Sequence, residues 1–164
     1  MEPGEALSTA AQLSLALAGF AGVVVVFRSG PLHEWTSIDK LRLRILLGNS
    51  VLPLVLCLLA LLLLSVKPPP PWIWRGCSGL AMALLLPFGV QMSKAMRAVP
   101  PEEFKMATPK FFLYLNGILG TAAAILQIYN LIVLNVFWAF FAIVIVLLIA
   151  GVFQFVRLLL LPGR

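Results

Sequence analysis

Charged residues are scarce in this chain, and the long apolar stretches contain almost none. Of its 164 residues 11% are charged and 62% are hydrophobic, and the mean hydropathy is +1.05. A soluble domain has about 25% charged and about 45–50% apolar residues. A soluble fold of this length could not cover so much apolar surface, whereas a bilayer can. The composition therefore predicts an all-α integral membrane helical bundle.

Residues for catalysis and metal binding are also few. The chain has two cysteines, Cys57 and Cys77, both in apolar stretches, and a single histidine, His33. Disulfide frameworks and zinc sites need more ligands than this. No Asp, Glu, His or Lys lies inside a predicted span, which disfavours a proton-coupled pump. We therefore expect no enzymatic activity, no cofactor and no metal site.

The apolar stretches predict five transmembrane helices in a single domain covering 1–164. The predicted spans are about 6–27, 45–66, 72–92, 111–129 and 136–160. The last two come from one apolar stretch, 111–161, which as a single helix would be about 76 Å long and too long for a bilayer. We place the turn between them at Asn130 to Asn135.

The basic residues predict the orientation. With five spans, every Lys and Arg except Lys67 and Arg75 falls on one side of the membrane. The positive-inside rule then predicts an outside N-terminus and a cytosolic C-terminus in the cytoplasmic (inner) membrane. The net charge of +6 forms no continuous stripe. We therefore expect contacts with anionic lipid headgroups at the cytosolic loops, and no nucleic-acid binding.

Four amide side chains are the candidate polar cluster. The predicted topology places one in each of four spans, near the cytosolic ends: Asn49, Gln91, Asn116 and Gln154. They are expected to form interhelical hydrogen bonds, or alternatively to line a cytosol-facing pocket for a small ligand or lipid headgroup.

Small residues mark two candidate helix-packing faces. In span one they recur every four residues after Ala6, and in span four they form a second patch. Such faces let two helix backbones approach closely, although they could also line a solute path. The predicted packing residues are Ala10, Ser14, Ala18, Gly22, Gly117, Gly120, Thr121 and Ala124.

Three short motifs carry a resemblance to known proteins. They are Gly19-Phe20-Ala21-Gly22, then Trp35-Thr36-x-x-Asp39-x-Leu41-Arg42, and finally the run from Gly151 to Arg157. In this layout the chain resembles a group of small prokaryotic polytopic membrane proteins of unknown function. The resemblance implies the span layout and no particular activity.

The sequence thus favours a non-enzymatic protein that packs against other membrane helices, as a homo-oligomer or as an accessory subunit of a membrane assembly. The alternative is a small transporter or channel with a cytosol-facing polar pocket. The two differ in whether the small-residue faces are covered and whether the four amides share one cavity.

Overall fold

Five helices make up nearly all of the described chain. The computed structural model describes residues 2–27, 35–100 and 110–160. Its helices are α1 (Pro3–Phe27), α2 (Ser37–Ser65), α3 (Ile73–Arg97), α4 (Lys110–Tyr129) and α5 (Phe137–Leu160). In the described part of the chain, five helices are long and apolar enough to cross a membrane. The predicted all-α bundle is confirmed, and the chain is a multi-pass membrane protein.

Successive helices run in opposite directions, which gives the bundle two distinct ends. Near one end, Phe20 of α1 contacts Phe155 of α5, with ring centroids 5.8 Å apart. Near the other, Trp74 of α3 contacts Phe137 of α5 at 4.9 Å. We name the first the basic end, where α1, α3 and α5 finish and α2 and α4 begin. The opposite end, which includes the run Pro68 to Pro71, is the proline end.

Local sequence signals explain where α2 begins and ends. The Thr36 side chain accepts a hydrogen bond from the backbone N–H of Asp39 at 3.3 Å, as an N-cap residue does. At the other end, α2 stops at Ser65, shortly before four prolines that cannot continue a helix. Helix α2 therefore begins before the predicted span at about residue 45, and α3 extends five residues beyond the predicted Met92, to Arg97.

The buried face of α1 differs from the predicted one along half its length. Ala6, Ala10 and Ser14 are buried, but Ala18 is half-buried and Gly22 is exposed. A step of four residues turns a helix by about 400°, so a strict four-residue series drifts around the axis. The buried series instead alternates steps of three and four, which keeps it facing α2 and α5: Leu7, Ala10, Ser14, Leu17 and Ala21.

Helices α2 and α5 approach closely where α5 has a glycine. A Cβ atom on Gly151 would lie 2.6 Å from Leu17 Cδ2 and 3.6 Å from the carbonyl oxygen of Asn49. Pro53 has no N–H, so this carbonyl has lost its usual helical donor. Gly151 therefore lies where α1, α2 and α5 meet.

A tight turn joins α4 to α5 at the predicted place. After α4, residues Asn130–Leu134 form one π-helical turn, and Asn135 then adopts the left-handed conformation with φ 53°. Asparagine tolerates this conformation better than most residues. The backbone N–H of Asn135 donates to the carbonyl of Asn130, which closes the turn.

Candidate functional site

Among the residues of α4 whose burial is described, 116–129, the buried ones lie in the half near the proline end. There Ala123, Gln127 and Asn130 are buried. Toward the basic end, Gly117 and Gly120 are exposed, and a Cβ on either would meet nothing within 4 Å. Around Gly117 and Gly120, the described part of the chain therefore leaves the inner surface of α4 uncovered, with room between α3 and α4.

A buried polar cluster holds α4 at the proline end. Ser78 of α3 donates to Gln127 Oε1 at 2.8 Å, and Asn130 Nδ2 donates to Ser78 Oγ at 2.8 Å. Gln127 Nε2 also donates to the carbonyl of Ala139 at 2.7 Å, which adds α5. Ser78, Gln127 and Asn130 have no exposed surface, and we call them the proline-end clamp. Because its polar groups satisfy one another, the clamp is a structural element with no capacity left for a ligand.

A second layer of contacts fixes the turn beside the clamp. Asn135 Oδ1 accepts from the backbone N–H of Arg75 at 3.0 Å, and its Nδ2 donates to the carbonyl of Pro71. The left-handed Asn135 thus supplies both the turn and the hydrogen bonds that tie it to the start of α3. Together, the clamp and the turn anchor the end of α4 that lies at the proline end. The opposite end of α4 is not held by these hydrogen bonds.

The space beside α4 is a cleft of about 540 Å³. Its floor comes from α2 and α5, whose lining residues are buried or half-buried, and its exposed lining residues all belong to α3 and α4. The cleft therefore opens sideways between α3 and α4, toward the surroundings of the bundle. Its apolar wall consists mainly of Met82, Leu85, Leu86, Phe88, Met92, Met96, Ile143, Val146 and Leu147.

Polar side chains are concentrated where the cleft reaches the basic end. They come from α2, α4 and α5: Arg42, Asn49, Asn116, Gln154 and Arg157. Arg42 is only 3% exposed and lies 3.4 Å from the carboxylate of Asp39, one turn earlier in α2. The cleft is therefore amphipathic along its length, with two cations at one end and an apolar remainder.

Three of the four amides in the predicted cluster line this one cleft, and the fourth does not. Asn49, Asn116 and Gln154 line it, whereas Gln91 is exposed and lies elsewhere on α3. The helical repeat explains the difference. Positions 85, 89, 92 and 96 of α3 face the cleft, and residue 91 is rotated away from them by about 100° relative to residue 92. The expectation that all four amides converge is therefore corrected at Gln91.

The small residues of α4 line or border the cleft, and no neighbouring helix in the described part of the chain covers them. Gly117, Gly120 and Ala124 are in its wall, and Thr121 is exposed beside them, where its hydroxyl donates to the carbonyl of Gly117. The expected packing face thus has no partner helix among the described residues. It corresponds instead to the alternative considered for this patch, a face that lines a path or pocket.

Sequence reasoning passed over the clamp and underestimated two arginines. Gln127 and Asn130 are three residues apart and so lie on one helix face, which was the available signal. Arg42 and Arg157 were not among the candidate site residues, but Arg42 is buried and Arg157 half-buried beside the cleft. Comparisons with protein-family models, with curated proteins and with solved structures found no match to the chain.

Proposed function

We propose that this chain is a non-enzymatic membrane protein that holds one amphipathic molecule from the bilayer in its lateral cleft. The observation that supports this most is the arrangement of the cleft, which is open toward the bilayer, apolar along its wall and polar at one end. Ligand pockets of about 300–1,000 Å³ with mainly apolar walls and a few convergent polar groups are common. Among the described residues that line the cleft, none is Asp, Glu, His or Cys, which supports binding without chemistry.

The position of the polar end also supports an orientation. In the described residues, the basic end carries Lys40, Arg42, Arg44, Lys94, Arg97 and Arg157, whereas Lys67 and Arg75 are at the proline end. The positive-inside rule then assigns the basic end to the cytosol, with the N-terminus outside. In this orientation the polar part of the cleft lies at the cytosolic leaflet of the cytoplasmic membrane, which is rich in anionic lipids.

Filling the cleft tests the proposal. A Cβ atom on Gly120 would meet no atom within 4 Å, and the rest of a leucine side chain would extend into the cleft, so the Gly120→Leu variant should fold. Gly19→Leu in α1 is the matched control, because Gly19 also has open space around it and does not line the cleft.

The readout is native mass spectrometry after extraction in mild detergent. We expect wild type and Gly19→Leu to carry one bound amphiphile per chain, and Gly120→Leu to carry none. Equal occupancy in all three proteins would overturn the proposal.

A second candidate function is that of a packing or accessory subunit, and the exposed small-residue patch of α4 favours it. Thr121 lies on that patch, and Thr9 is a comparable exposed threonine on α1. If a second copy packs against α4, Thr121→Cys should form disulfide-linked dimers in native membranes and Thr9→Cys should not. Monomeric Thr121→Cys would remove the homo-oligomer from consideration.

A further inference from the structure

Two arginines from different helices converge at the polar end of the cleft. Arg42 projects from α2 and Arg157 from α5, and both line the cleft. Because two cations at one end of the same cleft repel each other, an anionic group between them would be favourable. The carboxylate of Asp39 offsets part of this, at 3.4 Å from Arg42. Taken together, the two guanidinium groups and this carboxylate carry a net charge of +1.

A buried amide oxygen beside these cations has no hydrogen-bond partner. Gln154 is 7% exposed, and its Oε1 is buried without a donor among the described residues. A buried acceptor left in this state destabilises a protein unless an occupant supplies a donor. An occupant with a hydrogen-bond donor would satisfy Gln154 Oε1, and anionic oxygens on the same occupant would complement the two arginines.

The apolar part of the cleft has the dimensions of an acyl chain. Its apolar lining on α3 extends from Met82 to Met92, about 15 Å along the helix axis. The hydrocarbon region of one leaflet, half of the hydrocarbon core of the bilayer, is about 15 Å deep. Three flexible methionines line the wall, Met82, Met92 and Met96, and such side chains adapt to irregular apolar partners. A free phosphate or other small anion would leave this wall without an occupant.

We infer that the cleft binds an anionic glycerophospholipid whose headgroup carries a hydroxyl, with the phosphate at Arg42 and Arg157, the hydroxyl at Gln154 and one acyl chain along the apolar wall. The inference rests on the proposed function and specifies its ligand. The lateral opening between α3 and α4 lets the lipid enter from the bilayer with its second chain remaining outside.

The test compares three lipids by native mass spectrometry titration of the detergent-solubilised protein. Phosphatidylglycerol has the charge and the hydroxyl, phosphatidylethanol has the same charge without the headgroup hydroxyl, and phosphatidylcholine is zwitterionic. Hydrogen bonds to charged groups are stronger than those between neutral groups. We therefore expect phosphatidylglycerol to bind at least about tenfold more tightly than phosphatidylcholine. A smaller preference is expected over phosphatidylethanol.

Matched variants assign each preference to its residue. Arg42→Gln and Arg157→Gln should each reduce the preference over phosphatidylcholine, and Arg157→Gln serves alone if Arg42→Gln does not fold. Arg44→Gln, an equal change of charge at an exposed position of α2, should leave the preference unchanged. Gln154→Met should abolish only the preference over phosphatidylethanol.

The results separate this inference from the proposed function. If Gly120→Leu removes all bound lipid while wild type binds the three lipids equally, the cleft binds amphiphiles but the anion site is wrong. If Arg44→Gln weakens binding as much as Arg42→Gln, general surface charge is responsible and the site is also wrong. If Gly120→Leu changes nothing, the proposed function itself fails.

Discussion

Replacing Asn130 by alanine should loosen the junction that anchors α4, and the structure allows the size of the effect to be worked out. Asn130 Nδ2 donates to Ser78 Oγ at 2.8 Å, and its Oδ1 accepts from the backbone N–H of Val136 at 2.9 Å. Val136 directly precedes α5, so its N–H has no partner within that helix. The substitution therefore removes an interhelical hydrogen bond and also leaves a backbone donor unsatisfied.

The two losses differ in magnitude. Interhelical side-chain hydrogen bonds in membrane proteins contribute about 0.6 kcal/mol on average. A buried donor left without a partner costs about 1–3 kcal/mol. We therefore expect Asn130→Ala to lower the free energy of unfolding by about 2–4 kcal/mol. Thr121→Ala is the control, because the exposed Thr121 hydroxyl bonds only within α4, and should change the free energy of unfolding by less than about 0.5 kcal/mol.

The two native cysteines provide the assay. Cys57 is 0% exposed and Cys77, beside Ser78, is 2% exposed, so a thiol-reactive dye should label both only after unfolding. Titration with sodium dodecyl sulfate in mixed micelles, followed by dye labelling, gives the free energy of unfolding of each variant. If Asn130→Ala unfolds at the same detergent fraction as Thr121→Ala, the clamp does not anchor α4.

Two further predictions concern packing and topology. Gly151→Val should destabilise the bundle by about 1–3 kcal/mol, because its side chain would overlap Leu17. Gly19→Val is the control and should not destabilise the bundle, because a Cβ on Gly19 has open space around it. The dye-labelling titration compares the free energies of unfolding of the two variants. A reporter that fluoresces only in the cytosol should be active when fused after Arg164 and inactive when fused before Met1, and the reverse pattern would contradict the proposed orientation.

The number and approximate extent of the helices could be predicted because lipid imposes a simple rule. A span must be long and apolar, and its ends are marked by charges and prolines such as the run from Pro68 to Pro71. The turn between α4 and α5 has no charge to mark it. Its existence was inferred from the length of the apolar stretch 111–161, and the distribution of Lys and Arg favoured the split into two spans. The structure places the left-handed Asn135 there.

The candidate site was harder to predict because it depends on how each helix is rotated and tilted. Gln91 and Asn49 look alike in sequence, but only Asn49 faces the cleft. That difference is set by the neighbours of α3, which a single sequence does not show. The cleft exists because α4 is held at one end by Ser78 and Gln127 and, among the described residues, is uncovered at the other. A hydrogen bond between residues of two different helices leaves no local sequence pattern, so the sequence alone does not predict it.

Photolabelling tests most directly whether the cleft holds an acyl lipid. A phosphatidylglycerol with a diazirine near the end of one acyl chain would be activated in nanodiscs and its attachment sites mapped by peptide mass spectrometry. The account predicts labelling around Met82, Ala124 and Ile143, at the apolar end of the cleft, and loss of this labelling in Gly120→Leu. Labelling no stronger there than at lipid-facing positions of α1 such as Leu13 and Leu15, and unchanged by Gly120→Leu, would contradict it.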